Sequence, residues 1–250
     1  MKKLKEGKLI IRMFLLLMLA VLVSPAYADS PEKAWEVTLS SDFMSDYMFR
    51  GFNFHDGACI QPSIGATYAL GDIGLLGGNV WAHLPAEGDH QDEKFTELDH
   101  TLRYDMEFGP VSFGVGHLWY TYPRDSDDIE NTAEYFASVS LDTILKPYLA
   151  FYNDYDLFDA QYYLLGFSHT LNWAVLGDGF NVTPYVDFGF GSNAEKVYSD
   201  DSGLMHVTYG MSFALALGDI SVTPKLSYTS AVDDATVNEF SLGISFIYSI

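Results

Sequence analysis

The sequence is poor in cysteine, with Cys59 alone among its 250 residues. A single thiol cannot form a disulfide within the chain, so a small fold stapled by several disulfides is excluded. The cysteine and histidine positions also lack the spacing of a zinc site. We therefore expect neither a metal nor a cofactor.

Basic residues are also scarce. The chain has 13 lysines and arginines against 34 aspartates and glutamates, which gives a net charge of -21. This excess of negative charge would repel a phosphate backbone. We therefore expect no nucleic-acid partner.

No hydrophobic run is long enough for a membrane-spanning helix, which needs about 20 apolar residues. The longest run, residues 13–23, follows a basic start and precedes an Ala-Tyr-Ala cleavage motif at residues 26–28. This order predicts a secretory signal peptide over residues 1–28. Residues 29–250 then form one domain.

What the mature sequence does contain is alternation with a period of two residues. In the last segment, apolar residues at even positions alternate with Ser241, Gly243, Ser245 and Ser249. Successive side chains of a strand point to opposite faces, so this strand has one apolar face and one face of mostly small residues. We expect the even positions to face lipid and the odd positions to face a lumen.

Similar segments recur along the chain, many of them ten residues or longer, whereas strands of soluble proteins usually have about five or six. Long alternating segments separated by turns are typical of a transmembrane β-barrel. The sequence therefore predicts an all-β fold, a single antiparallel barrel of about 12 strands. The predicted strands are 34–53, 58–70, 73–84, 95–108, 111–122, 134–142, 147–154, 161–175, 180–191, 204–217, 220–229 and 238–250.

The connections between these segments alternate between short ones and longer acidic ones. Outer-membrane barrels of Gram-negative bacteria have short periplasmic turns and longer outer loops, so we expect that location, with membrane lipid and lipopolysaccharide around the barrel. Ten or fourteen strands also fit the pattern. A secreted β-sandwich is the alternative fold, since its strands alternate as well.

A stretch near the mature N-terminus resembles a known family. Residues 45–51 read Ser-Asp-Tyr-Met-Phe-Arg-Gly, and Pro62 lies in the next predicted strand. This is similar to the first strand of the TorF family of porins, although Asn53 and Phe54 replace the usual Ser-Gln. The resemblance implies a Gram-negative outer-membrane protein that forms a pore for passive diffusion of small solutes.

Strand parity selects candidate residues that line the pore. In the first strand Asp42, Asp46 and Arg50 share the lumen parity, while Phe43, Tyr47 and Phe49 share the lipid parity. The same reasoning on other strands adds Asp99, Arg103, Asp105, Asp187 and Lys225. Arg50 needs a carboxylate from a neighbouring strand or an outer loop. It is either a selectivity residue or half of a structural ion pair.

The predicted outer loops carry most of the acidic residues. Clustered carboxylates at a pore mouth raise the local concentration of cations, which predicts a bias toward cationic or neutral solutes. The acidic positions are Glu87, Asp89, Asp92, Glu93, Asp125, Asp127, Asp128, Glu130, Glu134, Glu195, Asp200, Asp201, Asp233, Asp234 and Glu239.

Two other functions compete with the pore. A barrel enzyme of the lipase or protease kind would need a Ser/His/acid or Asp/His set on one face. Ser168 and His169 are adjacent, so their side chains point to opposite faces. We therefore expect no catalytic residues and no enzyme activity. The third function is a closed structural barrel in which inward Tyr, Met and Arg block the lumen.

Overall fold

The computed structural model describes residues 34–88, 95–123, 130–172, 180–192 and 202–250. The predicted signal peptide lies outside these residues. Thirteen strand segments account for most of the described chain. They are β1 (Trp35–Phe49), β2 (Phe52–Ala69), β3 (Leu75–Pro85), β4 (Glu97–Phe108), β5 (Val111–Thr121), β6 (Thr132–Leu141), β7 (Tyr148–Asp154), β8 (Gln161–Ser168), β9 (Leu171–Asn172), β10 (Asn181–Ser192), β11 (Gly203–Leu217), β12 (Ile220–Ala231) and β13 (Glu239–Ser249).

The strands form one closed antiparallel sheet. Apart from β8 and β9, which both pair with β10, each strand pairs with its neighbours in sequence. Strand β1 pairs with β13 to close the ring, from Thr38 opposite Ser249 to Met44 opposite Gly243. Closure leaves no sheet edge unpaired, which a sheet in lipid requires. The predicted all-β barrel is therefore confirmed. Across the described ranges, no helix has the length and apolar character to cross a membrane.

Segments β8 and β9 belong to a single pass of the chain, because both pair with β10. The break falls at His169, whose backbone N–H donates to the carbonyl of Pro184 on β10. Proline has no N–H to return to the ladder, so regular pairing lapses opposite it. Counting β8 and β9 as one pass gives twelve strands around the barrel, as predicted.

The first connection differs from the prediction. We expected an outer loop near residues 54–58, but β1 ends at Phe49 and β2 begins at Phe52. Arg50 and Gly51 alone make the turn, with φ of 52° and 89°. Positive φ at both central residues is the geometry of a tight hairpin whose twist matches its strands. The polar residues His55 and Asp56 and the following Gly57 lie within β2, where the pairing shifts register twice.

The outer surface of the barrel is apolar. Large hydrophobic side chains stand exposed on successive strands, including Phe43, Ile64, Val80, Leu102, Val115, Tyr209, Leu226 and Leu242. The opposite face of β13 has buried Ser241 and Ser245, which agrees with the predicted facing of that strand. An apolar exterior around a closed sheet suits lipid. We take the end that holds Trp35, Ile250 and the turns at residues 70–74, 109–110, 142–147 and 218–219 as periplasmic.

Candidate functional site

The candidate site is the interior of the barrel, where the charged side chains meet. Near the middle of the barrel, Lys225 donates to Asp42 at 2.7 Å. Arg103 donates to Asp105 on the same strand, at 2.7 and 2.5 Å. These pairs remain open to water, since the side chains of Arg103 and Asp105 are 47% and 27% exposed, and those of Lys225 and Asp42 30% and 27%.

Two further predicted residues lie on the same interior face. Asp46 is buried and accepts a hydrogen bond from the Ser241 hydroxyl at 2.8 Å. The Asp187 side chain on β10 packs against Gly166 on β8, and a Cβ added to Gly166 would lie 2.5 Å from Oδ1 of Asp187. Glycine thus leaves room for a carboxylate from the neighbouring strand.

Asp99 has an acidic neighbour that sequence reasoning missed. Glu97 lies two residues earlier on β4, so both side chains point to the same face. Asp99 stands opposite Tyr120 of β5, and Glu97 stands opposite His83 of β3. Glu97 is buried, so two carboxylates lie close together inside the outer half of the barrel.

The predicted lipid facing of Tyr47 and Phe49 is wrong. The Tyr47 ring stacks on His83 with centroids 4.8 Å apart, and it is buried. The ring centroids of Phe49 and Tyr120 lie 6.1 Å apart, although their strands, β1 and β5, are not neighbours in the sheet. Both rings therefore lie inside the barrel. The register shift between Met44 and Asp46 interrupts the parity on which the prediction relied.

Arg50 makes the most extensive contact in the interior. Its Nη1 and Nη2 atoms donate to the two carboxylate oxygens of Glu134 at 2.6 and 2.7 Å. The Tyr120 hydroxyl donates to the same carboxylate at 2.9 Å. Because β6 is not adjacent to β1 or β2, this ion pair crosses the lumen. We expected Glu134 in an outer loop, but it lies in β6 and its carboxylate is paired with Arg50.

Aromatic rings enclose the guanidinium group of Arg50. Its Cζ atom lies 4.7 Å from the Phe49 ring centroid, 4.6 Å from Tyr152 and 4.7 Å from Tyr162. Contacts of this length are within the range of cation–π attraction. The side chain of Arg50 is only 6% exposed and that of Glu134 only 2%. This buried pair contrasts with the partly exposed pairs near the middle of the barrel.

The turn that carries Arg50 is also held on the opposite wall. The backbone N–H of Val237, in the loop between β12 and β13, donates to the carbonyl of Gly51 at 3.0 Å. His206 of β11 packs so closely that a Cβ on Gly51 would lie 2.7 Å from its ring. Next to the turn, Phe52 packs on a small core of Ala160, Tyr162 and Met205. The contacts of this turn therefore cross the lumen near its outer end, whereas the ion pairs farther from that end are partly exposed.

Most of the acidic loop residues lie outside the described ranges, namely those within residues 89–94, 124–129 and 193–201. Glu87, Glu130, Asp233, Asp234 and Glu239 are described and lie in or beside the outer connections. In the described part of the chain, no group of three His, Cys, Asp or Glu side chains is placed to hold a metal ion.

Comparison with solved structures identifies the fold. An outer membrane channel from Pseudomonas putida F1 superposes with a TM-score of 0.53 and 12% identity, over 91% of this chain and 100% of that one. The NanC porin superposes with a TM-score of 0.53 and 8% identity, over 85% of this chain and 98% of that one. No protein-family model and no curated protein sequence matches the chain.

These likenesses, the closed twelve-strand sheet and the apolar exterior define a class. The chain is an outer-membrane β-barrel with the fold of barrel channels. At identities this low, the likeness shows the fold alone.

Proposed function

We propose that the barrel is a channel for passive diffusion of small solutes, narrowest where Arg50 meets Glu134. The observation that carries the proposal is that the ion pairs inside the barrel become less exposed to water toward the outer end. The two ion pairs near the middle of the barrel are about one-quarter to one-half exposed, whereas the Arg50–Glu134 pair at the outer end is almost fully buried. A lined, water-accessible lumen that ends in one charged constriction has the layout of a selective pore.

The charges of the outer half support a bias toward cationic and neutral solutes. Among the described residues the basic side chains are Arg50, Arg103, Lys146 and Lys225, and Arg50 alone lies in the outer half. Asp46, Glu97, Asp99, Glu134 and Asp154 lie there as interior acids. Acidic walls around a narrow passage attract cations and repel anions.

Electrical recording from the purified barrel in a planar bilayer tests this function. The pore proposal requires discrete conductance steps, and a reversal potential of cation sign under a KCl gradient supports the bias. Arg50→Ala should raise the conductance by opening the constriction. Arg103→Ala is the matched control, since it removes an arginine from the wide part of the lumen.

The contacts that cross the lumen near its outer end also favour a second function, a closed structural barrel. That function predicts no conductance in either the wild type or Arg50→Ala, although both fold. Neither function requires the barrel to catalyse a reaction, and we propose that it is not an enzyme. We also propose kinship with the TorF family, supported by the matching residues 45–51, which form the end of β1 and its turn.

A further inference from the structure

The pocket that encloses Arg50 is built by a different part of the barrel. Tyr120, Glu134, Tyr152 and Tyr162 come from β5, β6, β7 and β8, four successive strands of one wall. Arg50 reaches this wall from the β1–β2 turn across the lumen. The walls of the pocket and the group inside it are therefore separate elements.

The wall residues have partners of their own, apart from Arg50. The Tyr120 hydroxyl holds one Glu134 oxygen at 2.9 Å. The Tyr162 hydroxyl shares a 2.9 Å hydrogen bond with Nε2 of His206. These bonds orient the carboxylate and one ring independently of the arginine. A pocket preorganised in this way can accept a ligand without first ordering its own side chains.

The chemistry of the pocket suits one class of ligand. Two carboxylate oxygens accept two parallel N–H donors from a planar guanidinium, a geometry that a compact ammonium cannot match. Tyrosine rings attract the same flat cation through their faces. Without Arg50 the buried Glu134 carboxylate would be an uncompensated charge, so the empty pocket favours a cation.

The arginine also occupies an unusual backbone position. Its φ of 52° lies in the left-handed region, which glycine and asparagine adopt far more readily at this place in a hairpin. The turn thus presents a long cationic side chain at a position where local backbone preference would favour a small residue. The contacts of the guanidinium group compensate for this preference.

We propose that Tyr120, Glu134, Tyr152 and Tyr162 form a binding site for small solutes that carry a guanidinium group, and that Arg50 is a built-in competitor occupying it. The inference rests on the proposed diffusion function, because such solutes would enter through the lumen. A solute that displaces Arg50 releases the turn from this wall, so binding and opening of the constriction are linked.

The test uses methylguanidinium as the probe and calorimetric titration of the folded full barrel in detergent. Arg50→Ala should bind the probe at least about tenfold more tightly than the wild type, because an attached competitor acts at an effective concentration in the millimolar range or above. Arg103→Ala keeps the pocket filled and should bind like the wild type. Ethylammonium should bind Arg50→Ala several-fold more weakly than methylguanidinium.

The double variant Arg50→Ala/Glu134→Gln should lose the gain in binding. Altered migration of unheated protein in SDS confirms that each variant is folded. Equal binding of the probe by wild type and Arg50→Ala would overturn the site, as would equal binding of the two cations. Titration does not depend on conductance, so a barrel that binds the probe but passes no current would refute the channel and keep the site.

Discussion

Arg50 and Glu134 are 84 residues apart in sequence and lie on strands that do not touch, yet they are joined by two hydrogen bonds of 2.6 and 2.7 Å. The bond ties a two-residue turn at the outer end of β1 to the wall made by β5 to β8. The same turn is bonded through Gly51 to the loop before β13. A single short hairpin thus spans the lumen from one wall to the other.

The first prediction concerns stability. Removing one partner of a buried ion pair leaves the other charge uncompensated, so Arg50→Ala should lower the free energy of unfolding by about 3–5 kcal/mol. Lys225→Ala breaks a pair that is about 30% exposed and should cost only about 0–1 kcal/mol. Urea unfolding of the detergent-folded barrel measures both. Similar costs would mean that the Arg50 pair is screened by water in solution.

Residues near this pair show which features of the barrel the sequence predicts and which it does not. Alternation predicted most strands well, because side chains point alternately into and out of the barrel along β4, β5 and β13. The polar stretch at His55 and Gly57 looked like a loop, but a strand end inside a polar lumen has the same composition. Glu134 could not be recognised as the partner of Arg50, because parity says which face a residue takes and not which residue it meets across the lumen.

The second prediction compares two glycines. Gly51 has φ of 89°, and a Cβ there would press on His206 at 2.7 Å and on Thr236 at 3.0 Å. Gly109 in a periplasmic turn has φ of 57° and open space around it. Gly109→Ala should therefore cost about 1 kcal/mol from backbone strain alone. Gly51→Ala should cost about 2–3 kcal/mol because a side-chain clash adds to the strain. Equal losses in urea unfolding would show that the turn is not clamped against His206.

The third prediction tests the facing of the last strand. Leu242 is half exposed on the outer surface, while Ser241 is buried inside beside Asp46. Leu242→Arg should reduce stability by about 2–4 kcal/mol if the position lies near the middle of the bilayer. Ser241→Arg should cost less, because Asp46 and Glu239 offer nearby carboxylates. Urea unfolding of the barrel in lipid vesicles, with the folded fraction read from SDS migration without heating, gives both values. A larger loss for Ser241→Arg would reverse the assigned faces.

The last prediction separates two possible sources of the proposed cation preference, the lumen and the loops. Glu97→Gln/Asp99→Asn removes two interior carboxylates, and Glu87→Gln/Asp234→Asn removes two exposed ones at the outer end. Reversal potentials are measured in the Arg50→Ala background, where we expect the constriction to be open. At about 0.1 M salt charges act over about 10 Å, so both pairs should lower the preference for K⁺.

At about 1 M salt this reach falls to about 3 Å, and the exposed loop carboxylates should lose their influence. The interior pair lies beside the proposed path of the ion, with Glu97 buried, so its substitution should still lower the selectivity. If both pairs lose their effect at high salt, the lumen is wide and water-filled at Glu97, and selectivity comes from the mouth. If neither pair changes the reversal potential at any salt, the acidic interior does not govern permeation.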